Sequence, residues 1–480
     1  MARMRTRSSR SPRPRSWPLV ALALAALACS PGPSAEPEPP PLVVLVSLDT
    51  LRADRLELYG YERETAPRLT ELAAEATVFE TTLAQAAQTL VSHKSMFTGK
   101  APLRLVREVT NAGLEQLRGI AEPHDFLVNS LVAAEGRLAT DLSGAGYRTA
   151  AFVDGGWMKK GMGFEAGFES FDDSGGGLAG ILPRALDWLD AAPTEPAFLF
   201  LQTYDVHCPY ATREPYDSRF CADHGAHLDL AEACPKSHLH RMQLSEVDRR
   251  AVRDHYDGGI ASADAWLGEL LDHLRHGGRF EEALIIVTSD HGEGLGDHGQ
   301  YGHGGLYLEQ LLVPLVVKFP ASWGIEAGRV ASPVELVDLY PSLLEACGLA
   351  IPDGLDGRSW MPDVLGEGEA RRYLAAQTTF REWRAGESET SLTRRALVEP
   401  ERWLLIHDSA AGTLEAYDLA ADPACERDVA AERLDELAEL LKVLEARDLG
   451  RADAAFRAPE SLELSPEALR QLEALGYGGK

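Results

Sequence analysis

Short, strongly apolar runs recur along the chain at wide intervals: LVVLVSL (42–48), TAAFV (149–153), FLFLQTY (198–204), ALIIVTS (283–289) and LVPLVVKF (312–319). Stretches with helical spacing lie between them. APRLTELAAEA puts Leu69, Leu72, Ala73 and Ala76 on one face with Pro67 near its start. The segment from Ser245 to His276 does the same through Ile260, Ala263, Leu267, Leu270, Leu271 and Leu274. This alternation predicts an α/β fold, a mostly parallel sheet flanked by helices. After about Gly366 the pattern changes. RRALVEPERWLLIHD and TLEAYDLAADP read as antiparallel strands joined by a turn, and an amphipathic helix follows near Glu432 to Ala446. The expected partition is therefore a large domain over residues 42–365 and a small α+β subdomain with a helical tail over 366–480. No internal repeat is visible.

The first forty residues follow a different rule. An Arg-rich start, the apolar run WPLVALALAALA and then CSPGPSAEPEPPP read as a signal peptide over residues 1–28 and a Pro-rich tether over 29–41. Twelve apolar residues suit an export signal better than a membrane span. Ala26, Leu27 and Ala28 before Cys29 resemble a lipobox, so Cys29 is the expected lipid anchor. The destination is the cell envelope as a lipoprotein, periplasmic or attached to the outer membrane, with plain secretion as the alternative. A net charge of -27 opposes nucleic acid and anionic headgroups, which leaves the lipid anchor as the expected membrane contact. Apolar residues at 45% and charged residues at 25% are ordinary for a globular chain. Of the remaining cysteines, Cys208, Cys221, Cys234, Cys347 and Cys425, the pair Cys221 and Cys234 shares a polar loop and could form a bridge; free thiols are the other reading.

Candidate chemistry follows the strands. The first apolar run gives way to Asp49, the third to Asp205 and His207, and the fourth to Asp290 and His291. In open α/β sheets, sites form beyond the carboxyl ends of strands, so these residues point to one crevice. Adjacent Asp290 and His291 can share a cation, with Asp49 adding an oxygen from across the sheet. Asp297, His298 and His303 continue in the Gly-rich stretch VTSDHGEGLGDHGQYGHGG, where glycines allow close approach of backbone to a ligand. Asp205 and His207, two apart in an extended segment, face the same way. In AQTLVSHKSMFTGKAP (87–102) a helix is expected to begin near Ser92, with Thr89 at or just before its N-terminus. Unsatisfied N–H groups and the dipole there favour an oxyanion. His93 and Lys94 would add substrate-binding cationic or donor groups, whereas the plainer reading makes Thr89 or Ser92 an N-cap.

Together these stretches, with DTLRADRLELYGY (49–61), GYRTAAFV (146–153), YDGGIASADAWLGELLDHL (256–274), VELVDLYPSLLEACGL (334–349), LDGRSW (355–360) and LEAYDLAADP (414–423), resemble the sulfatase family of the alkaline phosphatase superfamily. The resemblance runs from about Pro41 onward and implies an alkaline-phosphatase-like fold. It implies that Asp49, Asp290 and His291 bind one divalent cation, calcium first and zinc or manganese as alternatives. Thr89 occupies the nucleophile position and would touch the same metal. His207 would assist the leaving group, and His303 would contact the ester oxygens. By analogy with two-metal phosphodiesterases, Asp205, His207 and His303 would be a second metal site.

The sequence also departs from the family. Typical members carry a second Asp where this chain has Thr50. Their signature, Cys or Ser, any residue, Pro, any residue, Arg, is here Thr89, Leu90, Val91, Ser92, His93. The usual Lys and His after the second strand are missing from FVDGGWMKKG unless Lys159 or Lys160 reaches back. Family members oxidise Cys or Ser to formylglycine; Thr, with a methyl on Cβ, could give only a ketone. Thr89 would have to act as an alkoxide activated by the metal. The expected function is a metal-dependent sulfuric ester hydrolase acting on a small-molecule, carbohydrate or lipid ester. Its alternatives are a phosphodiesterase, phosphonate ester hydrolase or phosphotransferase working through a phosphothreonine, and a non-catalytic binding protein. The segments 103–135 and 212–244 are the expected substrate-shaping walls.

Overall fold

The computed structural model describes residues 37–105, 134, 136–210, 215–220, 230, 244–377, 381–384, 387–390, 394–408 and 411–446. From Glu38 onward they belong to one compact unit, Glu38–Lys480. The signal peptide, the tether up to residue 36 with Cys29, the Cys221 and Cys234 pair and most of both expected substrate walls lie outside the described residues. Cys208 is disulfide-bonded, which assigns it a role that the pairing of Cys221 with Cys234 left open; Cys347 and Cys425 are free and buried.

Eight strands form the central sheet: β1 (Leu42–Leu48), β2 (Thr77–Phe79), β3 (Arg148–Val153), β4 (Ser170–Asp172), β5 (Ala197–Thr203), β6 (Ala283–Thr288), β7 (Leu315–Lys318) and β8 (Gly328–Val330). Their order is β8-β2-β7-β6-β1-β5-β3-β4. Only β7 runs against its neighbours β6 and β2. All seven residues of β1 are buried, and the strand alternation divides them between two layers. Val43 and Leu45 pack with Phe198, Phe200, Leu284 and Ile286. Leu42, Val44, Val46 and Leu48 pack with Leu199, Leu201, Ile285 and Val287 on the other face. A near-continuous apolar run is what a strand covered on both sides requires.

Helices α2 (Thr89–Thr98), α3 (Leu138–Gly144) and α6 (Leu339–Ala346) cover the first face; α1 (Pro67–Ala73), α4 (Gly177–Asp190) and α5 (Glu246–His276) cover the second. The 31-residue α5, about 46 Å long, begins at a capping box in which Ser245 and Asp248 satisfy one another's backbone N–H groups. Its last turn carries His273, Arg275 and His276, charges suited to a helix C-terminus. Among the described residues no helix is long and apolar enough to cross a membrane.

Beyond the central sheet, β9 (Leu374–Gln377), β10 (Arg394–Glu399), β11 (Trp403–Asp408) and β12 (Thr413–Asp418) form an antiparallel sheet in that order. One face packs on Leu83, Ala87, Leu306 and Leu311. The other receives Leu437, Leu440 and Leu444 of α7 (Leu434–Ala446). A buried ion cluster fastens it: Arg371 donates to both carboxylate oxygens of Asp338, at 2.6 and 2.8 Å, and lies 2.7 Å from Glu335.

Two expectations need correction. Helix α1 ends at Ala73, so Ala76 lies beyond it. Helix α2 starts three residues before Ser92, with Gln88 as N-cap and Thr89 as its first residue. All ten residues of α2 are buried, so no polar face marks its start in the sequence.

Candidate active site

Strands β1, β5 and β6 are adjacent and parallel, so their carboxyl ends share one edge. Asp49 follows β1, and Asp290 and His291 follow β6. All three are fully buried, and one ligand atom from each lies within 4.8 Å of the others. The turn after Asp49 is bent sharply: Thr50 has φ = 62°, a left-handed conformation that a β-branched residue rarely adopts. Its N–H donates to Asp290 Oδ1 at 3.3 Å. The Tyr256 hydroxyl holds the turn by donating to Thr50 O (2.7 Å) and accepting from Arg52 N (2.9 Å). The Thr50 hydroxyl itself donates to Asp49 O, away from the ligand atoms.

Each member of the trio is held by one atom and leaves another unsatisfied. Asp49 Oδ2 accepts from Gln202 at 3.3 Å; Asp290 Oδ1 also accepts from His291 N at 2.9 Å; His291 Nδ1 bonds Gly292 O at 2.9 Å. Asp49 Oδ1, Asp290 Oδ2 and His291 Nε2 are buried without a hydrogen-bond partner among the described residues, and so is Thr89 Oγ1. Buried polar atoms are almost always paired, and unpaired ones cost on the order of 1–3 kcal/mol each. Four such atoms on four neighbouring residues fit a divalent cation. Burial, and then the charge of Asp290, push the Asp49 carboxyl well above the usual carboxylate range, a repulsion a cation would reverse. The Thr89 hydroxyl sits beside Asp49 and favours its ionised form, without a hydrogen bond of good geometry.

Two further imidazoles face this group. His303 stacks near His291, with ring centroids 4.3 Å apart, and its Nε2 lies 3.1 Å from Nε2 of His207. Both rings use Nδ1 on a carbonyl, Ala87 O for His303 (3.0 Å) and Cys208 O for His207 (2.5 Å). Carbonyls only accept, so each Nδ1 carries a proton, and the two Nε2 atoms, 3.1 Å apart, form a hydrogen bond only when one of them is also protonated. Burial pushes the His207 pKa down to about 4.

Other expected site residues lie elsewhere. Lys94 is fully buried and donates to Ala134 O (2.5 Å) and Gly163 O (2.8 Å), with its ammonium 4.3 Å from the Phe164 ring. It is a structural cation, not a substrate contact. His93 is also fully buried, its nitrogens 2.8 Å from Thr89 O and 3.0 Å from Ser47 Oγ, so it does not meet an ester either. Asp205 accepts from Leu178 N at 2.8 Å, at the start of α4, and the close ligand group among the described residues is Asp49, Asp290 and His291, without Asp205, His207 or His303. Lys160 is exposed and faces Asp173. Asp297 accepts from Arg52 at 2.7 Å. His298 reaches Glu309 and the carbonyls of Ala424 and Cys425. A cavity of about 650 Å³ is lined by Arg52, Asp297, His298, Glu309 and Cys425 among others; neither Thr89 nor the trio lines it, so it is not the reaction site.

The sequence reading missed Gln202, Ser47 and Glu293. Glu293 lies in the same Gly-rich stretch, fully buried beside Tyr210, and burial raises its carboxyl to about 8. Its place two residues after His291 was the available signal. Gln202 and Ser47 sit inside apolar strands, where a polar residue with no covering charge was the hint.

Known proteins resemble this chain in both sequence and structure. The Sulfatase family model matches residues 41–349, and the model for the C-terminal region of N-sulphoglucosamine sulphohydrolase matches residues 296–448. The multifunctional alkaline phosphatase superfamily protein PehA of Trinickia caryophylli is 31% identical over 273 residues, 50% of this chain and 52% of that protein. The N-acetylglucosamine-6-O-sulfatase of Bacteroides thetaiotaomicron is 31% identical over 176 residues, 36% of this chain and 30% of that one. The chain thus spans about half the length of these relatives, or less. Among solved structures, the phosphonate monoester hydrolase of Agrobacterium radiobacter superposes with a TM-score of 0.66 at 22% identity, covering 89% of this chain and 100% of that one.

Proposed function

This chain belongs to the sulfatase family, and from that premise we propose that it is a metal-dependent hydrolase of sulfate esters in which Thr89 is the nucleophile. The observation that carries the reading is the gathering of Asp49, Asp290 and His291, each with an unsatisfied buried atom, with the unsatisfied Thr89 Oγ1 beside Asp49. Asp49, Asp290 and His291 would hold one divalent cation, which lowers the hydroxyl pKa of the nucleophile and offsets charge on the ester oxygens. Two carboxylates and an imidazole suit zinc or manganese better than calcium, which takes six to eight oxygens.

Thr89 Oγ1 bonds to the central atom of the ester while the bond to the leaving oxygen breaks. Asp49, beside the hydroxyl, is positioned to take its proton. In the protonated form of the His207 and His303 pair, the Nε2 proton passes to the leaving oxygen, completing the alcohol. Water then attacks the covalent threonine ester, gives a proton back to the histidine pair and releases the oxyanion. Thr89 Oγ1 recovers its hydrogen from Asp49.

One observation favours a second reading. Thr89 cannot become a formylglycine, and an unmodified hydroxyl suits a phosphodiester or phosphonate monoester as well as a sulfate. The named substrate of the Bacteroides relative makes a sulfated sugar the first natural ester to try. Export by residues 1–28 with a lipid at Cys29 belongs to the same proposal, and loss of radiolabelled palmitate in Cys29→Ala would support it.

The test is turnover of nitrophenyl sulfate, nitrophenyl phosphate, bis-nitrophenyl phosphate and a nitrophenyl phosphonate, with metals supplied singly and Thr89→Ala alongside. Sulfate turnover lost in Thr89→Ala supports the first reading, and phosphoester turnover alone supports the second. Turnover that survives Thr89→Ala removes the nucleophile, and silence on all four with the metal bound favours a non-catalytic binding protein.

A further inference from the structure

His93 stands where the family signature has Arg, and the proposed reaction makes no use of it. Its ring is fully buried and edge-on to Phe164 and Phe200, with centroids 6.3 and 6.1 Å away. Aromatic rings and not solvent surround the imidazole. Nδ1 lies 2.8 Å from Thr89 O. Because a carbonyl only accepts, Nδ1 carries a ring proton, which leaves Nε2 to pair with a hydroxyl. The Ser47 hydroxyl, 3.0 Å away on β1, then donates to Nε2. An arginine, which only donates, could not accept from Ser47.

The same Nδ1 lies 3.5 Å from Asp290 Oδ2, the carboxylate oxygen with no hydrogen-bond partner. One residue earlier, Ser92 Oγ donates to Asp290 O at 2.6 Å. The first turn of α2 therefore grips Asp290 by its carbonyl and faces its carboxylate, while His93 ties the Thr89 carbonyl back to the central strand.

We propose that His93 is a positioning residue: by clamping the Thr89 carbonyl to Ser47 it sets the distance from the Thr89 hydroxyl to Asp290. The inference rests on Thr89 being the nucleophile. Threonine has few χ1 choices, so the aim of Oγ1 follows its backbone, and the clamp fixes the peptide plane that leaves Thr89. A displacement of about 1 Å at a reacting group costs on the order of a hundredfold in rate.

Two polar replacements separate this role from simple space filling. His93→Asn puts an amide donor near the position of Nδ1, and His93→Gln puts one near Nε2. On nitrophenyl sulfate and bis-nitrophenyl phosphate, His93→Asn is expected to keep kcat within about tenfold of wild type and His93→Gln to lose about a hundredfold. KM and metal content, the latter by mass spectrometry, stay unchanged. The ¹⁵N imidazole spectrum of the wild-type protein, which needs no turnover, should show a neutral ring protonated at Nδ1. A ring protonated at Nε2, or a His93→Gln protein as fast as His93→Asn, overturns the inference. Turnover lost in Thr89→Ala but intact in His93→Gln overturns it alone; turnover surviving Thr89→Ala overturns the nucleophile first and this inference with it.

Discussion

At the scale of single residues the site is a cluster of buried ionisable groups. Asp49 and Asp290 are both fully buried, and in the metal-free chain Asp49 is destabilised by burial and by its neighbour. Asp49→Asn keeps the shape and removes that repulsion. It should make the metal-free protein more stable by about 1–2 kcal/mol and abolish the rise in melting temperature on adding manganese or zinc, with calorimetry in chelator and in metal as the check. Strand-end position was enough to group Asp49, Asp290 and His291 from sequence, because an apolar run that stops at an acid reads the same in one dimension as in three. His93 and Lys94 were misread because SHKSMF is polar in composition yet wholly buried. Composition says nothing about which carbonyl an imidazole or ammonium will find.

Among the elements, the Gly-rich segment after β6 divides its polar residues between two tasks. His291 joins Asp49 and Asp290, and His303 lies beside it, while Asp297 and His298 tie the loop to its surroundings. His298 stacks on Tyr307, with centroids 3.9 Å apart and planes 8° from parallel. Its Nδ1 faces Glu309 at 3.2 Å and its Nε2 faces the carbonyls of Ala424 and Cys425 at 3.1 Å. Every one of these partners accepts, so only the imidazolium satisfies all of them. Burial works to lower its pKa, but the hydrogen bond and charge of Glu309, with the two carbonyls, raise it above the ordinary value. A raised histidine pKa contributes stability that is complete below the unfolded value of about 6.5 and is lost as pH rises through the folded value. The side chain is partly exposed, so the contribution should be under about 1 kcal/mol. Melting temperatures at pH 6 and pH 8 should differ less in His298→Gln than in wild type. Spacing alone could not divide this loop, since four of its polar residues sit among glycines that give no periodicity. The long α5 was legible end to end because its apolar stripe repeats over many turns. The three-residue strands β2, β4 and β8 were not, because a run that short carries no pattern.

For the whole molecule, the entry to the C-terminal sheet is tied to the segment before α6 by a charge cluster. Arg371 bridges Asp338 and Glu335 with its side chain only 8% exposed. Arg371→Met leaves two buried carboxylates without their cation and should cost about 3–5 kcal/mol, read as a lower urea midpoint. The mostly parallel sheet could be expected from strand–helix alternation, and the antiparallel C-terminal strands from the change of pattern after Gly366. The reversal of β7 could not, because LVPLVVKF is equally apolar whichever way it runs. The crowded turn at Thr50 is also a statement about time. Its contact with Asp290 spans 240 residues of chain, so nothing resembling a cation cage exists until β1 and β6 have docked side by side. A cation held by Asp49, Asp290 and His291 would therefore be taken up by the folded chain and not by the nascent one.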